Sequence, residues 1–95
     1  MSYRKGRELE YHVAAMLRRG GYTVTRAAGS HSTCDLIAYD QENCIHVQVK
    51  ARATARDVAR VRQEMLRVLP PGCLAYLVTK GKGKTIWINL RNAET

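Results

Sequence analysis

The 95-residue sequence predicts an α/β fold, a mixed five-stranded sheet flanked by helices in the order α-β-β-β-α-β-β. Three observations carry this expectation. Apolar residues recur at helical spacing in two stretches, Arg7 to Arg19 and Thr54 to Leu69. Short runs rich in β-branched, aromatic and aliphatic residues fill the rest. Gly, Pro, Asn and Asp separate these runs, with no long linker and no internal repeat, so residues 1-95 are expected to form one compact domain.

The first helix presents Leu9, Val13, Met16 and Leu17 on one face, and Gly20-Gly21 stops it. Tyr22 to Thr25 then reads as a strand, followed by a small, polar loop from Ala27 to Thr33. Asp35 to Tyr39 and Cys44 to Lys50 are strands around the turn-forming Asp40-Gln41-Glu42-Asn43, close enough for an antiparallel hairpin. Within the second of them Ile45, Val47 and Val49 point one way, while Cys44, His46, Gln48 and Lys50 point the other.

Thr54-Ala55-Arg56-Asp57 has the form of a capping box, and Val58, Val61, Met65, Leu66 and Leu69 make the stripe of the second helix. Pro70-Pro71-Gly72 ends it. Cys73 to Thr79 and Thr85 to Leu90 are the last strands, separated by Gly81-Lys82-Gly83-Lys84, read as a flexible basic turn. A helical crossover allows the third and fourth strands to run parallel.

Sixteen Lys and Arg against eight Asp and Glu give a formal charge of +8, which favours a polyanionic partner through counterion release. No apolar stretch is long enough to cross a membrane, and no apolar run follows the charged N-terminus, so neither membrane insertion nor a signal peptide is expected. Cys34, Cys44 and Cys73 contain no CxxC pair and no histidine at finger spacing, which argues against a thiolate zinc site. All three read as reduced, mostly buried residues of an intracellular protein, cytoplasmic or nucleoid-associated, from a cell or a phage.

Acidic residues are scarce, so Asp35 at the entrance to an apolar strand stands out. Across the hairpin its carboxylate, the Gln48 amide oxygen and the Val49 carbonyl would offer oxygen ligands to one hard cation, Mg²⁺ or Mn²⁺. Lys50 would add a fixed positive charge beside developing negative charge. The pattern points to metal-assisted hydrolysis of a phosphodiester. The bland alternative has Asp35 capping a turn and Gln48 and Lys50 facing solvent.

Four segments resemble one family. Tyr3-Arg4-Lys5-Gly6-Arg7-Glu8-Leu9-Glu10 resembles an opening helix in which a basic-Gly pair precedes a glutamate; Arg26-Ala27-Ala28-Gly29-Ser30 resembles an Arg-x-Ala-Gly-Ser loop. Cys34-Asp35-Leu36-Ile37-Ala38 and Val47-Gln48-Val49-Lys50 resemble an Asp-strand followed by Glu-x-Lys. These are signatures of the archaeal-type Holliday junction resolvases, within the PD-(D/E)xK nucleases.

The resemblance implies a restriction-endonuclease-like fold and a homodimer that cuts four-way DNA junctions in pairs with divalent metal. It places Glu10 on the helix glutamate, a second carboxylate for the metal, and Ser30 on the loop serine near the site. Asp35 falls on the principal ligand and Lys50 on the motif lysine. Gln48 departs from the usual glutamate, which implies weaker metal binding. Other substrates within the same fold are flaps, nicks or ends; a DNA-binding protein with weak catalysis is the alternative of another class.

Arg4, Lys5 and Arg7 precede Glu10, Arg26 leads into the Ser30 loop, and Arg52 and Arg56 follow Lys50. Basic groups therefore bracket each catalytic element, as gripping phosphates on both sides of a cut requires. Lys80, Lys82 and Lys84 could touch a more distant DNA arm, with solvated charge as the bland alternative. His12, His31 and His46 form no evident cluster.

Overall fold

The computed structural model describes residues 2–27 and 34–92, with side chains from residue 6 onward within them. The elements are α1 (Ser2–Arg19), β1 (Thr23–Arg26), β2 (Leu36–Tyr39), β3 (Cys44–Val49), α2 (Ala55–Val68), β4 (Leu74–Gly81) and β5 (Lys84–Asn89). The five strands lie side by side in chain order in one sheet. Only β3 and β4 run parallel; the other three pairings are antiparallel. The expected order of elements is met. The single parallel pair is the one spanned by α2, as a crossover of that length permits.

The helices cover opposite faces. Leu9, Val13, Ala14 and Leu17 of α1 pack on Leu36, Ala38, Ile45, Val47, Val49 and Val78. Val61 and Met65 of α2, with Leu69 just beyond it, pack on Cys34, Cys73, Ala75, Leu77 and Leu90. Because β4 is enclosed on both sides it reads as a continuous apolar run, Leu74 to Val78, without the alternation seen in β3. Met16, expected in the α1 stripe, lies at its margin and is 37% exposed; Ala14, at the other margin, is buried where the sheet approaches closely.

Several boundaries and one turn differ from expectation. α1 begins five residues before Arg7, β1 is Thr23–Arg26, and Asp35 and Lys50 flank their strands. The Gly81–Lys84 segment is an ordered two-residue hairpin turn in which Gly81 pairs with Lys84, and Lys82 and Gly83 take φ of 53° and 77°. Positive φ at both central residues matches the twist of the flanking strands, so Gly83 signals geometry here and not flexibility. The capping box is present as expected, with the Thr54 hydroxyl accepting from the Asp57 N–H and the Asp57 carboxylate accepting from the Thr54 N–H.

The reading of three reduced cysteines is corrected. Cys44 and Cys73 form a disulfide, with Cα atoms 4.6 Å apart, and Cys34 is a free, buried thiol. The cause is the parallel register: Ile45 pairs with Leu74, so the residue before each stands beside the other. The inference from reduced thiols to an intracellular setting loses that support. No described helix is long and apolar enough to cross a membrane.

Candidate active site

Asp35 is fixed by the ladder on both sides. Its carbonyl accepts from the Ala27 N–H at 2.8 Å and its own N–H donates to the Val47 carbonyl at 2.8 Å. Successive N–H groups of a strand point to opposite edges. Lys50 N–H reaches the Val78 carbonyl of β4 at 2.9 Å, so Val49 N–H points toward β2, whose regular pairing has ended. The Asp35 side chain closes that gap, its Oδ2 accepting from Val49 N–H at 2.8 Å. Continuing the β2–β3 register one step beyond Leu36 and Val47 sets Asp35 against Gln48. The carboxylate, the amide and the Val49 carbonyl thus belong to one end of the hairpin.

Burial raises the Asp35 pKa above its ordinary value, outweighing the Val49 hydrogen bond and the charges of Arg26 and Lys50, which act to lower it. A carboxylate held this way gains from a cation in contact with it. Glu10 approaches from α1. Its Oε1 lies 2.7 Å from Arg26 Nε, an ion pair whose N–H is not directed at the oxygen. That oxygen is buried and, among the described residues, receives no hydrogen bond. Arg26 also lies 5.8 Å from the centre of the Tyr11 ring, a cation–π contact that steadies the guanidinium.

One open groove collects these groups. Glu10, Asp35, Gln48, Val49 and Lys50 line it, and Arg7, Arg26 and Arg52 belong to the same lining. The donor set is oxygen throughout and includes a buried carboxylate oxygen that is ion-paired with Arg26 but receives no hydrogen bond among the described residues; both suit a hard divalent cation.

The family model for archaeal Holliday junction resolvases matches residues 1–92. The chain belongs to that family. It is therefore a structure-selective, junction-resolving nuclease. Among solved structures it is similar to the Holliday junction resolvase Hjc of Archaeoglobus fulgidus, from an archaeal hyperthermophile, with a TM-score of 0.64 and 21% identity over 90% of this chain and 78% of that one. At that identity the likeness shows the fold. A search of curated protein sequences gives no match.

Within this resolvase fold the expected residues fall into three groups. Glu10, Asp35, Gln48, Val49, Lys50, Arg7, Arg26 and Arg52 converge on the groove. Arg56, expected to hold DNA, is exposed in the first turn of α2 and is not part of the groove lining. Ser30 and His31, and the side chains of Arg4 and Lys5, lie outside the described residues.

Lys80 and Lys82 also line the groove, as does His12, where the sequence left the lysines between a distant arm and plain solvated charge. The parallel pair of Val49 with Val78 lets β4 run on past the end of β3 to Lys80, and the tight turn that follows carries Lys82, which lines the same groove. The Gly-x-Gly in the turn was the available signal, but its use depended on the β3–β4 register. Arg26 departs in another way: it pairs with Glu10 inside the site as well as standing at the rim.

Proposed function

We propose that this resolvase hydrolyses DNA phosphodiesters with Mg²⁺, for which Mn²⁺ substitutes, held by Glu10, Asp35, Gln48 and the Val49 carbonyl. The observation that supports this reading is the convergence of two carboxylates with Gln48 and Lys50 in a groove lined by Arg7, Arg26 and Arg52. When bound, the ion supplies Lewis-acid charge at the scissile phosphate and lowers the pKa of the attacking water.

The chain's own groups do the rest. Lys50 presents a fixed ammonium to the phosphate oxygens on which charge develops. The hydrogen bond between Asp35 and Val49 holds the carboxylate in place without further reorganisation. Arg7, Arg52, Lys80 and Lys82 hold flanking phosphates, fixing the register of the backbone without reading bases. Ser30, by family resemblance, contributes from the adjoining loop. A homodimer with two such grooves would cut opposing strands of a four-way junction symmetrically, at an intracellular site of recombination or repair.

Labelled four-way junctions, flaps, nicked duplex and linear duplex, each incubated with Mg²⁺, Mn²⁺ or chelator, test the proposal. Paired symmetric nicks confined to the junction and abolished by chelator are expected. Cutting that persists in chelator refutes the metal site. Asp35→Ala should abolish cutting while retaining junction binding, with circular dichroism checking that the fold survives.

A further inference from the structure

On the α2 side of the sheet, away from the groove lining, the fold gathers four sulfur and imidazole donors. Cys44 and His46 stand two residues apart and so share one face of β3. The parallel register brings Cys73 beside Cys44. The ligand atoms of Cys44, His46 and Cys73 all lie within 4.8 Å of one another. Cys34 joins from the entrance to β2, its Sγ 3.8 Å from His46 Nδ1. The positions 34, 44, 46 and 73 match no metal motif by spacing; the sheet makes the cluster.

A tetrahedral zinc ion, with Zn–S of about 2.3 Å and Zn–N of about 2.0–2.1 Å, sets its ligand atoms roughly 3.5–3.8 Å apart. The Cys34–His46 separation meets that spacing, and the ligand atoms of Cys44, His46 and Cys73, within 4.8 Å of one another, lie near it. Three sulfurs and one imidazole form a Cys₃His donor set, which selects zinc over the hard cations suited to the groove. Cys34 and Cys73 belong to the same apolar cluster as Met65, Leu69, Ala75, Leu77 and Leu90, and Cys44 packs against it.

We propose that Cys34, Cys44, His46 and Cys73 form a zinc site in the reduced chain, so that disulfide and zinc are alternative crosslinks between β3 and β4. A dithiol reductant supplies two electrons and two protons to the Cys44–Cys73 bond, leaving as its own disulfide and yielding two thiols. Zinc then binds three thiolates and the neutral imidazole, and the three thiol protons pass to solvent. The site is structural: Cys34 immediately precedes Asp35, and His46 stands two residues before Gln48, so the ion would brace the strands that carry the groove.

The full chain, reduced with a phosphine and stripped by chelation, is titrated with Co²⁺ and then Zn²⁺ in the Asp35→Asn background, which weakens the groove's own oxygen site. Expected are thiolate-to-cobalt charge-transfer absorption and tetrahedral visible bands saturating at one Co²⁺ per chain, displaced by Zn²⁺. Oxidised chain should show neither. Cys34→Ser and His46→Ala should each weaken binding at least tenfold and change the cobalt spectrum. Should the reduced chain unfold, Zn²⁺ must restore its near-ultraviolet dichroism. Absence of thiolate bands, failure of that restoration, or bands indifferent to both substitutions would overturn the proposal.

Discussion

Arg26 Nε stands 2.7 Å from Glu10 Oε1, so a cation belonging to the protein occupies the carboxylate that a metal ion would share. The two cations compete. Since the Arg26 side chain is 51% exposed, its hold on Glu10 is screened, worth at most about 1 kcal/mol. Arg26→Met should therefore tighten Mn²⁺ binding by up to roughly fivefold while weakening junction binding. Calorimetric Mn²⁺ titration checks the first effect and gel-shift titration the second; unchanged Mn²⁺ affinity would contradict the competition.

Asp35 predicts a pH signature. Burial raises its folded pKa above the ordinary 3.8, so the fold prefers the protonated acid. That contribution to stability is complete below the unfolded value and is lost as pH rises through the raised folded value. Asp35→Asn keeps an acceptor for Val49 N–H and removes the charge. The variant should melt higher than the parent at neutral pH, with the gap closing as pH falls toward 4, and should be inactive. Saturating Mn²⁺ should narrow the neutral-pH gap by stabilising only the parent.

Gln48 lies opposite Asp35, so Gln48→Glu sets two carboxylates together. Metal affinity should rise about tenfold, and chelated protein should melt lower than the parent, because like charges in one site repel. Calorimetry in Mn²⁺ and thermal denaturation in chelator test both signs.

Lys82 holds φ of 53°, a conformation that costs a non-glycine residue about 1 kcal/mol or more. Lys82→Gly should raise the melting temperature and, with one phosphate contact gone, lower the salt slope of junction binding by roughly 0.9. Stability and binding moving in opposite directions would separate this residue's DNA role from its structural one.

Thr54→Ala removes the α2 cap and should cost about 1 kcal/mol. Hydrogen bonds from Thr54 hold the Asp57 carboxyl below its ordinary value. The stability it contributes is present above pH 3.8 and is lost as pH falls through the lower folded value. Acid titration of the melting temperature should thus be flatter in the variant.

Local patterns in the sequence encode most of the fold. Ile45, Val47 and Val49 mark the buried face of β3 by alternation, and Thr54 with Asp57 announces α2, because both signals lie within a few residues. Asp35, Gln48 and Lys50 are brought together by a single hairpin, which is why that half of the site was legible. Glu10 came from family resemblance, since no local rule carries α1 to the sheet. The Cys44–Cys73 bond, separated by 29 residues, and the arrival of Lys80 and Lys82 both depend on the β3–β4 register. The register of a parallel pair is written in neither strand alone. Arg56 stands outside the groove lining, because the first turn of α2 carries it to an exposed position.

The groove draws a lining residue from α1 and from four of the five strands, Glu10, Arg26, Gln48, Lys80 and Thr85, with Asp35 just before the remaining strand, β2. A chain still being synthesised lacks the hairpin of β4 and β5, and with it the parallel partner that fixes Lys50. Partly made or partly unfolded protein therefore holds no assembled cutting site. For a junction-resolving nuclease, cooperativity of folding is itself a safeguard: the ability to break DNA appears only when the whole sheet does.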